Sequence, residues 1–330
     1  MLSRIWYSTS LYHLFLLPFS LLYGLISTLI KFGYRCGCLK SYKFPLTIVV
    51  IGNLTVGGNG KTPMVLWLVE QLQHRGWLVG VVSRGYGGYS KRYPIILNEF
   101  SNTDECGDEP LLIWERTGVP IAVSPRRAEA VAALLYKYKL NVIISDDGLQ
   151  HYALERDIEW VVVAQRRFGN GWWLPAGPMR ERITRLSSVH EIIVNGEQTK
   201  VGEIPMKLVP SMVVNVLNGK CHKLNILHNV VAMAGIGHPD QFFATLRSSG
   251  IFPIKEIVFT DHAIYHEETL AVLTMNNEML LMTEKDAVKC RKFAHINWWY
   301  LRVDVDISRL STEKLLFSIE NSINQYYYRL

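Results

Sequence analysis

Eight consecutive residues, Thr55-Val56-Gly57-Gly58-Asn59-Gly60-Lys61-Thr62, bring together three glycines, a lysine and a hydroxyl group. Glycines let backbone N–H groups close around phosphate oxygens with no Cβ in the way, and the positive end of a following helix adds to the attraction. In that arrangement Lys61 reaches the β- and γ-phosphates and the Thr62 hydroxyl ligates Mg²⁺, so the stretch points to a nucleoside triphosphate. It departs from the general pattern G-x-x-x-x-G-K-[ST] in its first residue, which is Thr55 where glycine is usual. A second run, Val142-Ile-Ile-Ser-Asp146-Asp147-Gly148, ends an apolar stretch in two carboxylates. Alone, Asp-Gly is an ordinary turn. Beside a phosphate loop it becomes a metal-side acid, with Asp146 the expected Mg²⁺ ligand and Asp147 close behind as a second candidate ligand. Two more runs carry ionisable groups, Gly107-Asp108-Glu109-Pro110 and Thr260-Asp261-His262. The first is also a normal helix start, an acid followed closely by proline. Spacing alone does not choose a functional histidine among His151, His238, His262 and His266.

These residues need elements to hold them. The apolar run 44–52 predicts a buried parallel strand before the phosphate loop, and Val65, Leu68, Val69 and Leu72 predict a helix after it that stops at Gly76. Further strands are expected at 78–83, 141–145, 158–163 and 191–194, and helices at 111–116 and 128–138. Strands alternating with helices predict an α/β fold: a doubly wound parallel sheet of the P-loop NTPase type, with the ligand at the strand C-termini. Residues 211–217, Asn218-Gly219 and 220–225 predict a hairpin that breaks the rhythm. A second α/β series then begins with a strand at 230–233 and a helix at 239–249, and a strand at 254–259 leads to Asp261-His262. The expected organisation is an N-terminal membrane-anchoring segment (1–40), a nucleotide-binding domain (41–205), a hairpin linker (206–228) and a smaller α/β domain (229–330).

Length and composition agree with two domains. The chain has 330 residues, 49% hydrophobic and 19% charged, which excludes a disordered chain. A formal charge of +6 suits anionic partners such as phosphates and acidic lipids. Nucleic-acid binding would fit the charge but has no module signature. Five cysteines without a C-x-x-C pair argue against a disulfide framework and a zinc site, and fit a reducing cytosol. Residues 5–30 contain no Asp, Glu, Lys or Arg. As a helix they reach about 39 Å, enough to cross a bilayer, although Pro18, Gly24 and several polar residues leave an in-plane membrane helix as the alternative. Lys31, Arg35, Lys40 and Lys43 follow the segment and Arg4 precedes it, so the bulk of the chain is expected in the cytoplasm. A cleaved signal peptide is disfavoured, because no alanine occurs before Ala122 to form an A-x-A site.

Several runs in order resemble one family: the phosphate loop, Ser83-Arg-Gly-Tyr-Gly-Gly88, Gly107-Asp-Glu-Pro110, Asp146-Asp-Gly-Leu-Gln-His151, Phe168-Gly-Asn-Gly-Trp-Trp-Leu-Pro-Ala-Gly-Pro-Met-Arg-Glu181, Ala234-Gly-Ile-Gly-His-Pro239 and Met282-Thr-Glu-Lys-Asp286. Together they resemble tetraacyldisaccharide 4′-kinase, the lipid A kinase of Gram-negative bacteria, over essentially the whole chain. That family's loop also begins with threonine. The resemblance implies ATP- and Mg²⁺-dependent phosphorylation of the 4′-hydroxyl of a tetraacylated glucosamine disaccharide 1-phosphate at the bacterial inner membrane, on its cytoplasmic face. No obligate protein partner is evident in the sequence. The resemblance also implies that Asp108 accepts the hydroxyl proton while His262 orients and tunes it, although Ala263-Ile264-Tyr265 match the family less well than Asp261-His262. Residues 166–185 fit the substrate side: five arginines against a single acid, Glu181, with Trp172 and Trp173 between them. Arg167, Trp172, Trp173 and Arg180 are the expected contacts to an anionic sugar head group. The second function class is a membrane-recruited P-loop ATPase or GTPase switch with no lipid acceptor. Guanine reading needs [NT]-K-x-D, and Thr283-Glu284-Lys285-Asp286 has Glu284 where the lysine should stand. It reads as a strand end running into a helix.

Overall fold

A computed structural model of the protein describes residues 6–7 and 13–327. Residues 1–5, including Arg4, and residues 8–12 of the anchoring segment lie outside the described residues. Helix α1 (His13–Arg35) comes first and carries Arg35 in its last turn. The first lobe then runs β1 (Thr47–Gly52), α2 (Lys61–His74), β2 (Val79–Ser83), β3 (Ile95–Ile96), α3 (Thr103–Cys106), α4 (Asp108–Thr117), β4 (Ile121–Val123), α5 (Arg127–Lys137), β5 (Val142–Asp146), β6 (Ile158–Ala164) and β7 (Glu191–Asn195). Strands β8 (Ile204–Asn215) and β9 (Cys221–His222) lead to the second lobe. That lobe holds β10 (Val230–Ala234), α6 (Pro239–Ser248), β11 (Lys255–Val258), α7 (Glu267–Ala271), β12 (Met279–Thr283), α8 (Glu284–Cys290) and β13 (Trp298–Asp306). Helix α9 (Arg309–Tyr327) follows.

Every residue of β1 is buried, as a central parallel strand requires. Alternate side chains serve opposite cores. Val49 and Ile51 join the layer of α2, α4 and α9, while Ile48 and Val50 join the layer under α5. Strand order is β11-β10-β12-β13-β8-β7-β6-β1-β5-β2-β4-β3, with β9 paired to β8 off that path. β1 lies parallel between β5 and β6. The phosphate loop and the acids ending β5 therefore emerge side by side, because Ile51 is level with Asp146.

Strand β8 is longer than the hairpin pattern predicts, and it belongs to both lobes. Ile204–Met206 pair parallel with β7, whereas Lys207–Asn215 pair antiparallel with β13 across an irregularity at Arg302/Val303. A hairpin does form at its end, where β9 pairs back on Val213 and Val214 and Gly219 takes positive φ. Helix α9 was expected with the smaller domain, but its Leu315, Leu316, Ile319 and Ile323 are buried in the first lobe's core beside α2. Each such side chain contributes about 1.5–3 kcal/mol on burial. Tyr326 Oη also donates to Asp157 Oδ1 at 2.9 Å. The chain thus crosses between lobes twice, through β8 and again after β13.

Helix α1 is apolar on the wrong face for a soluble protein. Its only buried residues are Ser20 and Gly24, while Phe15 and Phe19 are 78% and 62% exposed. Ser20 Oγ donates to the Trp173 carbonyl at 2.7 Å. A Cβ on Gly24 would stand 2.2 Å from Trp173 Cε3, so only glycine allows this approach. Small residues dock the helix and large apolar ones face outward, the pattern of a membrane-contacting element.

Candidate active site

The phosphate loop turns into α2 at Gly60, whose φ of 92° lies in the left-handed region. Gly57 is likewise left-handed at 99°. Lys61 and Thr62 occupy the first turn of α2, where unsatisfied N–H groups and the helix dipole favour an anion. Thr55 has a structural reason to replace glycine. Its Oγ1 accepts from Asn59 Nδ2 at 2.9 Å, and both residues are buried, so the two side chains tie the loop's ends together. Val56 N–H donates to the Pro178 carbonyl and Arg180 N–H to the Leu54 carbonyl, at 2.9 and 2.7 Å. The arginine-rich loop is thereby stitched to the phosphate loop.

Asp146 is 1% exposed. Its Oδ2 is 3.5 Å from Ser83 Oγ, and its Oδ1 has no hydrogen-bond partner. Burial, then the neighbouring Glu109 and Asp147 carboxylates, push its acid up to about 7, against the pull of Lys61. A buried carboxyl with an unsatisfied oxygen and an excess of nearby negative charge is short of a cation. Asp147 is differently placed. Burial alone would raise its acid, but Lys61 and Arg180 together hold it low. Arg180 Nη1 reaches its Oδ1 and Oδ2 at 2.9 and 2.8 Å, and Lys61 Nζ lies 3.8 Å from Oδ1. Asp147 takes a left-handed φ of 45°. The buried Arg127 supports that bend by donating to the carbonyls of Asp146 and Asp147, at 2.9 and 2.7 Å. His151 Nε2 accepts from the Arg127 N–H at 3.2 Å. Burial, then Arg127, Arg156 and Arg84, drive this imidazole down to about 4.

A cavity of about 350 Å³ opens over these groups, walled by Tyr23 of α1, Ser83, Arg84, Tyr86, Glu109, Arg127, Asp146, Asp147, Gln150, His151, Leu174 and Arg180. Beside its wall residues Glu109 and Tyr86, Asp108 and His262 meet across the lobes. His262 Nδ1 lies 3.0 Å from Asp108 Oδ2 although the residues are 154 positions apart. Asp108 is buried in the first turn of α4, behind Gly107 with φ 84° and ψ 161°. His262 has a φ of 59° and stands edge-on to Tyr86, ring centroids 5.1 Å apart. Lys289 Nζ is 3.3 Å from Asp108 Oδ2, and Lys285 Nζ is 3.4 Å from His262 Nε2. An ionised Asp108 only accepts and an ammonium only donates, which assigns the ring proton to Nδ1. Burial would lower the Lys285 ammonium, but Glu109, Asp261 and Asp108 hold it above its ordinary value. Lys285 and Lys289 share one face of α8 at i, i+4 spacing, a signal present in the sequence yet mute without a partner to face. Lys285 stood in the run Met282–Asp286 without a role, and neither Lys289 nor Arg127 stood out by motif.

The arginine-rich loop is not the open cationic surface its composition suggests. Acids remote in sequence pair with three of its five arginines. Arg167 forks onto Glu203, with Nη1 at 3.1 Å from Oε2. Arg185 meets Glu159, with Nη2 at 2.6 Å from Oε2, and Arg180 meets Asp147. Trp173 packs under α1, its ring capped by Arg182 at 4.3 Å, and Trp172 is half exposed. Of the expected head-group contacts, Arg180 alone lines the cavity over Asp146. Trp173 and Arg180 also line a neighbouring groove of about 440 Å³ between α1 and residues 173–185, while Arg167 and Trp172 line neither.

A family model described as tetraacyldisaccharide-1-P 4′-kinase matches residues 12–321. Two curated relatives named tetraacyldisaccharide 4′-kinase are each 61% identical to this chain. The one from Blochmanniella pennsylvanica (strain BPEN) aligns over 329 residues, 99% of this chain and 98% of its own. The one from Blochmanniella floridana aligns over 331 residues, 99% of both. A crystal structure of LpxK from Aquifex aeolicus, described as an "apo" form in complex with ATP, superposes with a TM-score of 0.80. It is 29% identical, covering 94% of this chain and 99% of that one.

Proposed function

The chain belongs to the tetraacyldisaccharide 4′-kinase family, and from that premise we propose that its reaction centre lies where the phosphate loop, Asp146 and the Asp108–His262 pair converge. The protein is an ATP-dependent kinase of lipid A synthesis that phosphorylates a hydroxyl of the tetraacyl disaccharide. The switch without a lipid acceptor is not favoured. One observation carries the assignment of roles: a carboxylate and an imidazole, from different lobes, lie 3.0 Å apart beside Glu109 and Tyr86, which wall the cavity over Asp146.

Asp108 takes the proton of the 4′-hydroxyl as it attacks the γ-phosphate, and His262 holds the carboxylate's orientation through its Nδ1–H. Lys289 contacts the Asp108 carboxylate, and Lys285, facing Nε2, keeps His262 in one tautomer. Lys61 neutralises the developing negative charge, and the amides of residues 57–62 fix the phosphates in line. Mg²⁺ fits the residues present. Asp146 with its orphaned oxygen and the Thr62 hydroxyl would hold it, and bound there it would supply positive charge that offsets the charge of the phosphates. Asp147, committed to Arg180 and Lys61, supports this pair rather than adding a ligand. The apolar outward face of α1 supports membrane association. Docking of its polar face from Ser20 to Lys31, whose Nζ is 3.2 Å from Glu181 Oε2, favours a helix lying in the membrane plane with both lobes on the cytoplasmic side. In this reading residues 41–205 bind nucleotide and residues from 229 onward supply the histidine that completes the cleft.

The test is transfer of label from γ-labelled ATP to the disaccharide 1-phosphate. Wild type transfers it and Asp108→Ala does not, while Asp108→Ala still binds ATP. Undiminished transfer by Asp108→Ala would remove the carboxylate from the reaction.

A further inference from the structure

Arg166, just beyond β6, is the arginine of the 166–185 run whose setting the reaction described above leaves unexplained. Among the described residues no carboxylate pairs with it. Its Nη1 donates to Nε2 of His238, its guanidinium lies 4.9 Å from the Tyr7 ring centroid, and its Nε is buried without a hydrogen-bond partner. Arg167, Arg180 and Arg185 each meet an acid. Arg166 meets neutral groups. Burial, then the guanidinium itself, hold the His238 ring below its ordinary range, so it is an uncharged acceptor at neutral pH.

Its place is over the mouth of the phosphate loop. A Cβ on Gly57 would lie 2.8 Å from Arg166 Nη2 and 4.0 Å from His238 Nε2, and one on Gly58 would lie 4.0 Å from His238 Cδ2. Gly57 and Gly58 are the exposed glycines of the loop. Arg166 comes from the first lobe and His238 from the start of α6 in the second, so they meet across the cleft above bare backbone. Asp240 and Asp261 act on His238, but among the described residues no carboxylate pairs with Arg166, and a half-buried guanidinium without a carboxylate partner favours an anion.

We propose that Arg166 is a further nucleotide ligand, its guanidinium binding the terminal phosphate of ATP, and that His238 is a positioning residue linking that contact to closure of the lobes. This rests on the phosphate loop holding ATP. The arginine forms and breaks no covalent bond. The phosphoryl group passes from the β,γ-bridging oxygen to the acceptor oxygen, and Arg166 donates hydrogen bonds to the negative oxygens in transit, as an arginine supplied in cis does in other phosphoryl-transfer enzymes.

A terminal-phosphate contact separates ATP from ADP, whereas a structural role does not. Binding of ADP and of a non-hydrolysable ATP analogue, together with kcat, would be measured for wild type, Arg166→Ala, Arg166→Lys and His238→Ala. For Arg166→Ala we expect analogue affinity to fall about 10-fold or more with ADP affinity within about twofold, and kcat to fall about 10³-fold. Arg166→Lys should recover part of both losses, since a point charge lacks the fork. His238→Ala should show the same preference for losing the analogue, more weakly, and adding it to Arg166→Ala should cost nothing further. Equal losses of ADP and analogue, or an unchanged kcat, in a variant that melts like wild type would overturn the proposal. If Arg166→Ala does not fold, the same two readouts on Arg166→Lys decide it. A Lys61→Ala protein that binds ATP and turns over normally would instead defeat the ATP site itself, whatever the ADP-to-analogue ratio.

Discussion

At the scale of single residues the reaction depends on groups with unequal environments. Asp108 and His262 should act as one unit, because in the proposed mechanism the imidazole works through the carboxylate it touches. Asp108→Ala and His262→Ala should each lower kcat by about 10²–10⁴-fold, and the double variant should be scarcely worse than either. ATP affinity should hold, since neither side chain meets the phosphates. Strictly multiplicative losses in steady-state assays would separate the pair into unrelated contributors. His151 offers a test by pH. Its folded value of about 4 lies below the ordinary 6.5 of a free histidine, so below that value the unfolded chain binds more protons than the native one. Stability attached to this residue is therefore full above about pH 6.5 and is lost as pH falls toward about 4. His151→Gln, which keeps an acceptor for the Arg127 N–H, should flatten the fall in melting temperature across that window. Identical melting-versus-pH curves for the two proteins would mean the ring titrates freely.

At the scale of elements, α1 and α4 carry the most consequence. The docked face of α1 is set by Gly24 against Trp173 and by Ser20 on the Trp173 carbonyl. Gly24→Leu must lift the helix from residues 173–181, so KM for the lipid should rise while ATP affinity stays as it was. An unchanged KM would show that α1 anchors without shaping the lipid side of the cavity. Removing residues 1–30 should release much of the protein from membranes in sedimentation assays, with residual binding falling as salt rises. Complete retention at high salt would point to another apolar surface. Two turns along α4 from Asp108, Arg116 is the hub between lobes. It meets Glu70 of α2 at 3.0 Å and Glu284 of α8 at 3.1 Å, pairs with Asp304 of β13, and is 6% exposed. Arg116→Met leaves Glu284 without its guanidinium and Glu70 and Asp304 to Arg302 alone, and should lower stability in denaturant unfolding. Arg116→Lys should restore less than half, because one ammonium cannot fork to three partners. Wild-type stability in Arg116→Met would mean solvent already screens the cluster.

At the scale of the whole molecule, the second lobe is a presenter of side chains to the first. Strand β8 ties the lobes with hydrogen bonds on both sides, and α9 returns to the first core. The lobes are therefore held in a narrow range of relative positions. Asp108 with His262, Arg116 with Glu284, and Arg166 with His238 all cross the resulting cleft. Small rotations about β8 would change all three together, which is how closure over substrate can complete a catalytic arrangement.

The sequence by itself determined what short-range physics controls. A phosphate loop must follow a buried strand and open a helix, and residues 47–74 do so. An apolar run ending in acids could be placed beside it, and Asp146 stands level with Ile51. Strand and helix positions were legible because side-chain period and glycine stereochemistry are local properties. Tertiary structure alone decided who partners whom. Five arginines read as a basic patch until Glu203, Asp147 and Glu159 came in from other strands and loops. Lys285, quoted only as part of a run, and Lys289 had no partner to name before α8 faced α4. The hairpin pattern hid a strand shared by two lobes, and α9 returned to a core that nothing in its own periodicity names. Strand order and the direction of chain return are set by burial summed over the whole sheet. A local pattern states which face of an element is apolar, and the assembled sheet states what that face meets.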